Sequence, residues 1–340
     1  MSHIYLMKSD IKLGFREGQM TIADLGKGTK REMPFSTVES ISVFGQAQLS
    51  TQLIRECIAR DVPIIYYSDD GHYFGKVESF DRIDPIRHKM QMYASDDSTF
   101  SLGIARSIVD AKVRNSLTYL LRRSDVYVFT DKELQPLGHS IQRIQECTSI
   151  DELMGYEGNA ARTYFQCLSR LLPDEFAFSG RSARPPKDPF NSMLSFGYSI
   201  YFRTIIGAIE RAGLHPYFSF LHQLKFGHAA LASDLIEAFR APVIDAAIVD
   251  FAWSGDVHPN DFYHNDAGAV YMKRGVAKEL SGYLSGIALE KHAYYLHFGD
   301  RRKYSFRVAL DTMIRSLIIA IEQKDPSLYL PFLWVPEDRD

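Results

Sequence analysis

The sequence predicts an α+β protein: a small β-sandwich-like domain over residues 1–85, a linker at 86–95, and a larger all-α domain over 96–335. Three observations lead there. Before residue 80, apolar and polar residues alternate in runs broken by glycine turns, the period of half-buried strands. Beyond residue 97 the apolar period lengthens to that of a helix. Between them, DRIDPIRHKMQMYASDD at 81–97 is polar and contains Pro85, which sets the boundary. At 340 residues the chain is long enough for each part to bury a core of its own.

In the first part, Ile11, Leu13 and Phe15 alternate with polar neighbours, and Met20 and Ile22 resume the alternation after Glu17-Gly18, predicting a hairpin. Val38, Ile41 and Val43 lead to Phe44-Gly45 as a further strand. A helix is expected near 50–60, where Leu53 and Cys57 stand four apart behind Ser50 as its cap. The run Pro63–Tyr67 then meets an Asp-Asp-Gly turn at 69–71 before His72, Tyr73 and Phe74.

In the second part, Leu102, Ala105, Val109, Val113, Leu117 and Leu120 form a helical stripe. Ser149-Ile-Asp-Glu152 has the spacing of a capping box opening the next helix. Further helices are expected over 189–212, 231–240, 276–297 and 304–323, with one hairpin turning at Asn265-Asp266-Ala267-Gly268. The final Pro-Glu-Asp-Arg-Asp reads as a frayed tail.

Apolar residues make up 46% and charged residues 24%, as in soluble globular proteins. No apolar run approaches the ~18 residues of a spanning helix. The N-terminus lacks the basic head, apolar stretch and cleavage site of a secretory signal, so a cytoplasmic location is expected. Cys57, Cys147 and Cys167 are few, scattered and without CxxC spacing, which excludes a thiolate zinc site and fits reduced core residues. With a net charge of -3, any nucleic-acid surface has to be a local basic patch.

Three places in the second part offer hard ligands for a divalent ion of the kind that phosphodiester chemistry uses. Glu157 shares a helical face with Ala161, Tyr164, Phe165 and Leu168, so its carboxylate points coreward and needs a partner or a metal. His222 ends an apolar stretch containing Phe218, Phe220 and Leu221. Asp234 and Glu237 stand at i,i+3 on one helix side, and the intervening Lys225-Phe-Gly-His228 reads as a loop that lets His222 fold back toward Glu237. One imidazole with two or three carboxylates suits Mg²⁺ or Mn²⁺, the nitrogen favouring Mn²⁺. Taken singly, each residue also has a plainer reading. Glu157 can be an ion-paired helix residue and His222 a satisfied core histidine. Asp234 and Glu237 can flank a solvated helix, with Arg240 as the i,i+3 partner of Glu237.

The order of these stretches resembles the CRISPR-associated spacer integrase family, from about residue 4 to about 320. The similarity rests on VESISVFG at 38–45, Ser50-Thr51, VPIIYYS at 62–68 and Gly71 to Gly75 in the first part. In the second it rests on AKVRN at 111–115, EGNAA at 157–161 and, most specifically, RPPKDPFNSMLSFGY at 184–198. GLHPY at 213–217, Phe220-Leu-His222 and ASDLIEAFR at 232–240 follow in order.

The resemblance implies a metal held by Glu157, His222 and Glu237, with Asp234 as a supporting acid, all four counted as catalytic. It implies a metal-dependent endonuclease and integrase that inserts prespacer DNA into a CRISPR repeat by 3′-hydroxyl attack. The second domain would carry catalysis and DNA binding, and the first would form a homodimer. Double-stranded DNA and a small ferredoxin-like CRISPR-associated protein would be the partners, with no membrane involved. Asn191, Ser195 and Tyr198 match a helix near the site, with Arg184 and Lys187 on its basic approach. DNA contacts are expected from Arg162, Arg181, Arg184, Lys187, Asn191, Lys225, His228 and Arg240, and more weakly from the Arg301-Arg302-Lys303 run. The chain departs from the family pattern at His215, where acid is common, and at His228, where arginine is common. His258, Asp261 and His264 are read as a polar loop beside the hairpin. A branched-DNA repair nuclease and a non-catalytic DNA-binding scaffold remain as alternatives at this point.

Overall fold

Glu17 and Gly18 both take a positive φ, 51° and 78°, the backbone a tight two-residue hairpin requires. They join β2 (Ile11–Arg16) to β3 (Gln19–Asp24) in a register that pairs Leu13 with Ile22 and Phe15 with Met20. The structure, a computed structural model, describes residues 2–6, 9–67, 73–77, 79, 84–289, 291–295 and 303–335, and falls into the units Met1–Ile83 and Asp84–Asp340.

In the first unit, β4 (Thr29–Pro34) continues the hairpin and β6 (Gln48–Leu49) closes a sheet of order β4-β3-β2-β6. A second sheet has the order β1-β5-β7-β8, built from β1 (Ser2–Leu6), β5 (Val38–Phe44), β7 (Ile64–Tyr67) and β8 (Tyr73–Val77). Helix α1 (Thr51–Ala59) connects the two sheets and opens on Ser50, whose hydroxyl accepts the Leu53 N–H at 3.2 Å. Leu13, Met20, Ile41, Leu53 and Ile64, all fully buried, lie in one core. The Asp-Asp-Gly turn expected at 69–71 lies outside the described residues.

The second unit begins with a correction. Residues 86–95, expected to be a linker, form α2 (Pro85–Asp96): Asp84 caps it by accepting the N–H groups of Ile86 and Arg87, and Pro85 takes the first helical position, where no N–H is needed. Asp97 then caps the 25-residue α3 (Ser98–Arg122), the central helix of the unit. It packs against α4 (Asp131–Ile144) and α5 (Ile150–Leu168). Ser149 opens α5 as expected, accepting the Glu152 N–H, but the Glu152 carboxylate reaches back to the Thr148 N–H.

Asp188 and Pro189 start α6 (Pro189–Arg211). The expected helix at 231–240 is subdivided. An α-helical part, α7 (Ala230–Ile236), passes into a 3₁₀ turn at Glu237–Phe239, then a π-helical turn at Arg240–Asp245, then α8 (Ala246–Trp253). Pro242 lies inside the wide turn, where its missing N–H does not interrupt an α-helical ladder. The turn lies tight against α6. A Cβ on Gly197 would stand 3.1 Å from Ile244, so glycine permits this approach.

The second unit is mostly helical without being all-α. Strands β9 (Phe262–His264) and β10 (Val270–Met272) form the expected hairpin. Helix α9 (Arg274–Leu289) ends earlier than the predicted 297, because Lys291–Tyr295 is strand β11, paired on both sides by β12 (Lys303–Ser305) and β13 (Trp334–Val335). Helix α10 (Phe306–Gln323) completes the unit. The amide of buried Asn115 on α3 donates to the carbonyls of Ala238 and Phe332 at 2.7 and 2.9 Å, and its oxygen accepts the Trp334 N–H at 2.8 Å. One side chain thus ties α3 to the turn bearing Glu237 and to the C-terminal segment.

Candidate metal centre

Three segments converge beside α3: the first half of α5 with Glu157, the loop ending at His222, and the 3₁₀ turn with Glu237. The loop is shaped from two sides. Gln91 of α2 donates its amide to the carbonyls of His215 and Phe218, at 2.9 and 2.7 Å, and accepts the His215 N–H at 2.8 Å. Asp234, nearly fully buried on α7, accepts the N–H groups of Phe220, Leu221 and His222 at 2.7, 3.1 and 3.0 Å.

Asp234 also stands 2.8 Å from His222 Nδ1. A proton on that nitrogen satisfies the carboxylate and leaves Nε2 directed to Glu237, whose Oε1 is 3.9 Å away. This is the arrangement by which a carboxylate orients a metal-binding imidazole. Burial alone depresses the His222 imidazolium, but the bonded Asp234 carboxylate, with Glu237 beyond it, carries its pKa above the ordinary value.

The two glutamates meet around a positive charge supplied by the protein. The Lys112 ammonium on α3 contacts Glu157 and lies 2.6 Å from Oε2 of Glu237. Arg240 Nε donates to the same Glu237 oxygen at 3.0 Å. Burial alone raises the Glu237 pKa, yet Arg240 and Lys112 bring it down to about 2. Lys112 is itself held above its usual range, because the two carboxylates outweigh its burial.

Among the described residues no three His, Cys, Asp or Glu side chains close on a common point. The donor set nonetheless suits a divalent ion. Two carboxylates meet at one cationic position, and an imidazole with its second nitrogen already engaged stands beside one of them, hard and borderline ligands in the same neighbourhood. That position is taken by Lys112 in this geometry.

A cavity of about 80 Å³ adjoins the centre, lined by Lys112, Glu157, Tyr164, Arg181, Tyr198 and Arg240. On its wall Tyr198 and Tyr164 donate their hydroxyls to the two oxygens of Asp245, at 2.6 and 2.9 Å. Burial pushes Asp245 up to about 6, against the hydroxyls and the Arg240 guanidinium. The Arg240 and Arg181 guanidiniums lie over the Tyr198 ring, 4.4 and 5.2 Å from its centre.

A model of the family described as CRISPR associated protein Cas1 matches residues 4–284. The CRISPR-associated endonuclease Cas1 of Mycobacterium tuberculosis is 37% identical over 330 residues, which cover 96% of each chain. This chain belongs to the Cas1 family.

A Cas4/Cas1 fusion of Leptospira interrogans is 33% identical over 239 residues, spanning 67% of this chain and 43% of the fusion. In fold, this Cas1 chain is similar to a CAS1 protein from Thermotoga maritima, with a TM-score of 0.79 at 20% identity, over 99% of this chain and 100% of that one. It is similar also to a casposase bound to integration product, with a TM-score of 0.80 at 22% identity, over 96% and 92% of the chains.

The residues expected to contact DNA fall into different places on this Cas1 chain. Arg162, Arg184, Lys187 and Lys225 are exposed. Asn191 is a correction. Fully buried, its amide donates to the Gly180 carbonyl and to Asp188, and its oxygen accepts from Arg181 and the Ser182 N–H, so it shapes the 180–191 loop and offers DNA no surface. Arg181 is turned inward, donating to Asn191, Ser195 and the Ser182 carbonyl, and Arg240 is engaged by Glu237.

His228 bonds Ser233 at 3.0 Å and stacks on Phe202, and burial, with His222 and Arg184 nearby, lowers its pKa. It therefore meets its surroundings as a neutral ring. Arg301 and Arg302 lie outside the described residues. Asp261 accepts the His258 N–H in the turn that leads into β9. Lys112 and Asp245 had no functional reading from sequence. The AKVRN string marked the helix bearing Lys112, but neither residue has a local pattern that announces its partners.

Proposed function

We propose that this chain is a divalent-metal-dependent DNA endonuclease and integrase of CRISPR adaptation. The observation that carries the reading is the meeting of Glu157 and Glu237 at the Lys112 ammonium, with an Asp234-oriented His222 beside Glu237. Relatives named CRISPR-associated endonuclease Cas1, covered almost end to end, support the nuclease activity.

Glu157, Glu237 and His222 Nε2 would hold the ion, Mn²⁺ or Mg²⁺. When bound, it would neutralise charge on the scissile phosphate and favour ionisation of the attacking hydroxyl. Asp234 keeps the imidazole in the tautomer that leaves Nε2 unprotonated. Arg240, locked between Glu237 and Tyr198, holds the Glu237 carboxylate ionised and in place. The exposed Arg184, Lys187 and Lys225 take backbone phosphates, positioning DNA without reading its sequence.

In the joining step the 3′ oxygen of a prespacer attacks phosphorus in a repeat strand. A new P–O bond forms, the existing P–O bond to the leaving oxygen breaks, and that oxygen takes up a proton. Repetition on the other strand inserts the spacer. With water as the nucleophile, the same site nicks DNA.

A homodimer through the first unit, and the small protein Cas2 as companion, complete the proposed assembly. Cas2 as companion is supported by the similarity to chains of a Cas6-RT-Cas1--Cas2 complex, with a TM-score of 0.79 over 98% of this chain and 36% of that one. A TtCas1-DNA complex, with a TM-score of 0.56, supports DNA as ligand. A cytoplasmic location goes with this role; among the described residues no helix is long and apolar enough to cross a membrane.

The deciding assay incubates purified protein with prespacer, repeat DNA, Cas2 and Mn²⁺. Covalent joining is expected. Cutting of branched DNA with no joining would instead make the chain a repair nuclease, and DNA binding without either reaction would make it a scaffold.

A further inference from the structure

Lys112 is placed with more care than a surface counter-charge requires. Its helix position lies between buried Ala111 and Val113, and three residues on, Asn115 pins α3 to the turn carrying Glu237. The ammonium is brought to the two carboxylates by a fixed backbone. Only the side chain, four carbons long, is free to redirect it.

From that backbone the ammonium contacts Glu157 and Glu237, residues from two different elements that share no hydrogen bond with each other. Glu237 is 3% exposed and Glu157 13%. Two carboxylates this buried and this close repel strongly when nothing positive lies between them. The ammonium nitrogen already fills the gap between the two carboxylates, so a divalent ion can enter only if the ammonium moves aside.

We infer that Lys112 is the resident counter-ion of the metal centre, a positive charge that holds Glu157 and Glu237 together until a divalent metal displaces it. The inference rests on the metal reading proposed above and adds a residue that sets the affinity. The cavity beside the centre, which Lys112 itself lines, gives the displaced side chain somewhere to go. The device keeps the carboxylates pre-assembled and weakens metal binding by the work of moving the ammonium aside. Arg240 remains on Glu237 in either state, so Glu157 is the carboxylate that depends on the exchange.

The test measures Mn²⁺ binding to the full-length protein by the free-ion electron paramagnetic resonance signal, without DNA and without any activity assay. Lys112→Met and Lys112→Gln are compared with wild type, each checked for folding by circular dichroism. Both are expected to bind Mn²⁺ at least about tenfold more tightly than wild type. Without metal, both should melt below wild type, and Mn²⁺ should restore most of the difference. Lys112→Arg, which keeps the charge, should show no such gain. Equal or weaker Mn²⁺ affinity in the Met and Gln variants overturns the inference.

Glu157→Gln separates the two layers of argument. If wild type binds Mn²⁺ and Glu157→Gln does not, the metal reading stands and the Lys112 variants decide the counter-ion on their own. If neither wild type nor any Lys112 variant binds Mn²⁺, the metal reading and the inference fall together.

Discussion

Nδ1 of His222 lies 2.8 Å from Oδ1 of Asp234, and the same buried carboxylate takes three consecutive backbone N–H groups of the loop that carries the histidine. Asp234 therefore builds the loop and aims the ring at once. The two tasks separate by substitution. Asp234→Asn keeps the shape but weakens the orienting bond, and a loss of roughly ten- to a hundredfold in Mn²⁺ affinity is expected by titration. Asp234→Ala leaves three loop donors, two of them buried, without an acceptor, and chemical denaturation should show a loss of about 3 kcal/mol. An Asn variant with wild-type Mn²⁺ affinity would show that Asp234 serves the loop alone.

Glu157 is the more exposed of the two glutamates, and Lys112 keeps Glu237 as a partner without it, so its loss should spare the fold and remove the chemistry. Glu157→Ala is expected to melt within a few degrees of wild type while joining falls by roughly two to three orders of magnitude. Full joining by this variant contradicts its place as a ligand.

Metal removal gives an independent check. EDTA should silence both joining and nicking, and Mn²⁺ or Mg²⁺ added in excess should restore them. Turnover that persists in EDTA is incompatible with the mechanism.

Asp245 makes a pH-dependent prediction whose sign follows from its raised pKa. Its ordinary value is 3.8 and its folded value about 6, so the folded protein keeps this proton while the unfolded chain has lost it. The stabilisation is fully present below the ordinary value and disappears as the pH rises through about 6. A shift of about 2 units is worth roughly 3 kcal/mol. In Asp245→Asn the amide can still meet Tyr164 and Tyr198, and this component of the pH dependence should vanish. The check is the wild-type stability minus that of the variant, measured by denaturation between pH 4 and pH 7. A difference that stays flat across that range would mean Asp245 does not hold its proton in the fold.

Asn115 predicts a purely structural effect. Asn115→Ala removes two donated bonds and one accepted bond from a buried position. A loss of about 3 kcal/mol or more is expected in denaturation, and the 3₁₀ turn bearing Glu237 should gain hydrogen-exchange lability. Unchanged exchange at 237–239 would show that packing alone holds the turn.

The elements written in a simple local code were legible in the sequence. The alternation around Glu17-Gly18, Ser50 before α1, and Asp188-Pro189 before α6 each state their structure within a few residues. Helix α2 escaped because the residue it buries is polar: Gln91 serves two backbone carbonyls of the loop before His222, so no apolar stripe marks it. Residues 291–295 fit a helical pattern, but neighbours on both sides make them a strand, and such pairing is not encoded locally.

At the centre, the order of Glu157, His222 and Glu237 emerged only through family resemblance. Each residue alone suits a plainer role. Lys112 lies 45 residues before Glu157 and pairs with it purely through tertiary structure. Asp245 is reached from Glu237 through a Pro-containing turn whose wide pitch hides the phase between them.

That wide turn makes the chain's length here as constrained as its chemistry. A π-helical turn holds one residue more than an α-helical turn, and each residue of an α-helix advances the side-chain direction by about 100°. Deleting a single residue between Arg240 and Asp245 would let the segment wind as an ordinary helix. Everything after it would rotate, carrying Asp245 off both tyrosines while Glu237 stayed where it was. Substitutions across 240–245 can be absorbed one side chain at a time, whereas an insertion or deletion there dissociates the metal side of the site from the tyrosine side in one step. Homologous chains that keep the centre should therefore vary in residue identity along this stretch far more readily than in residue number.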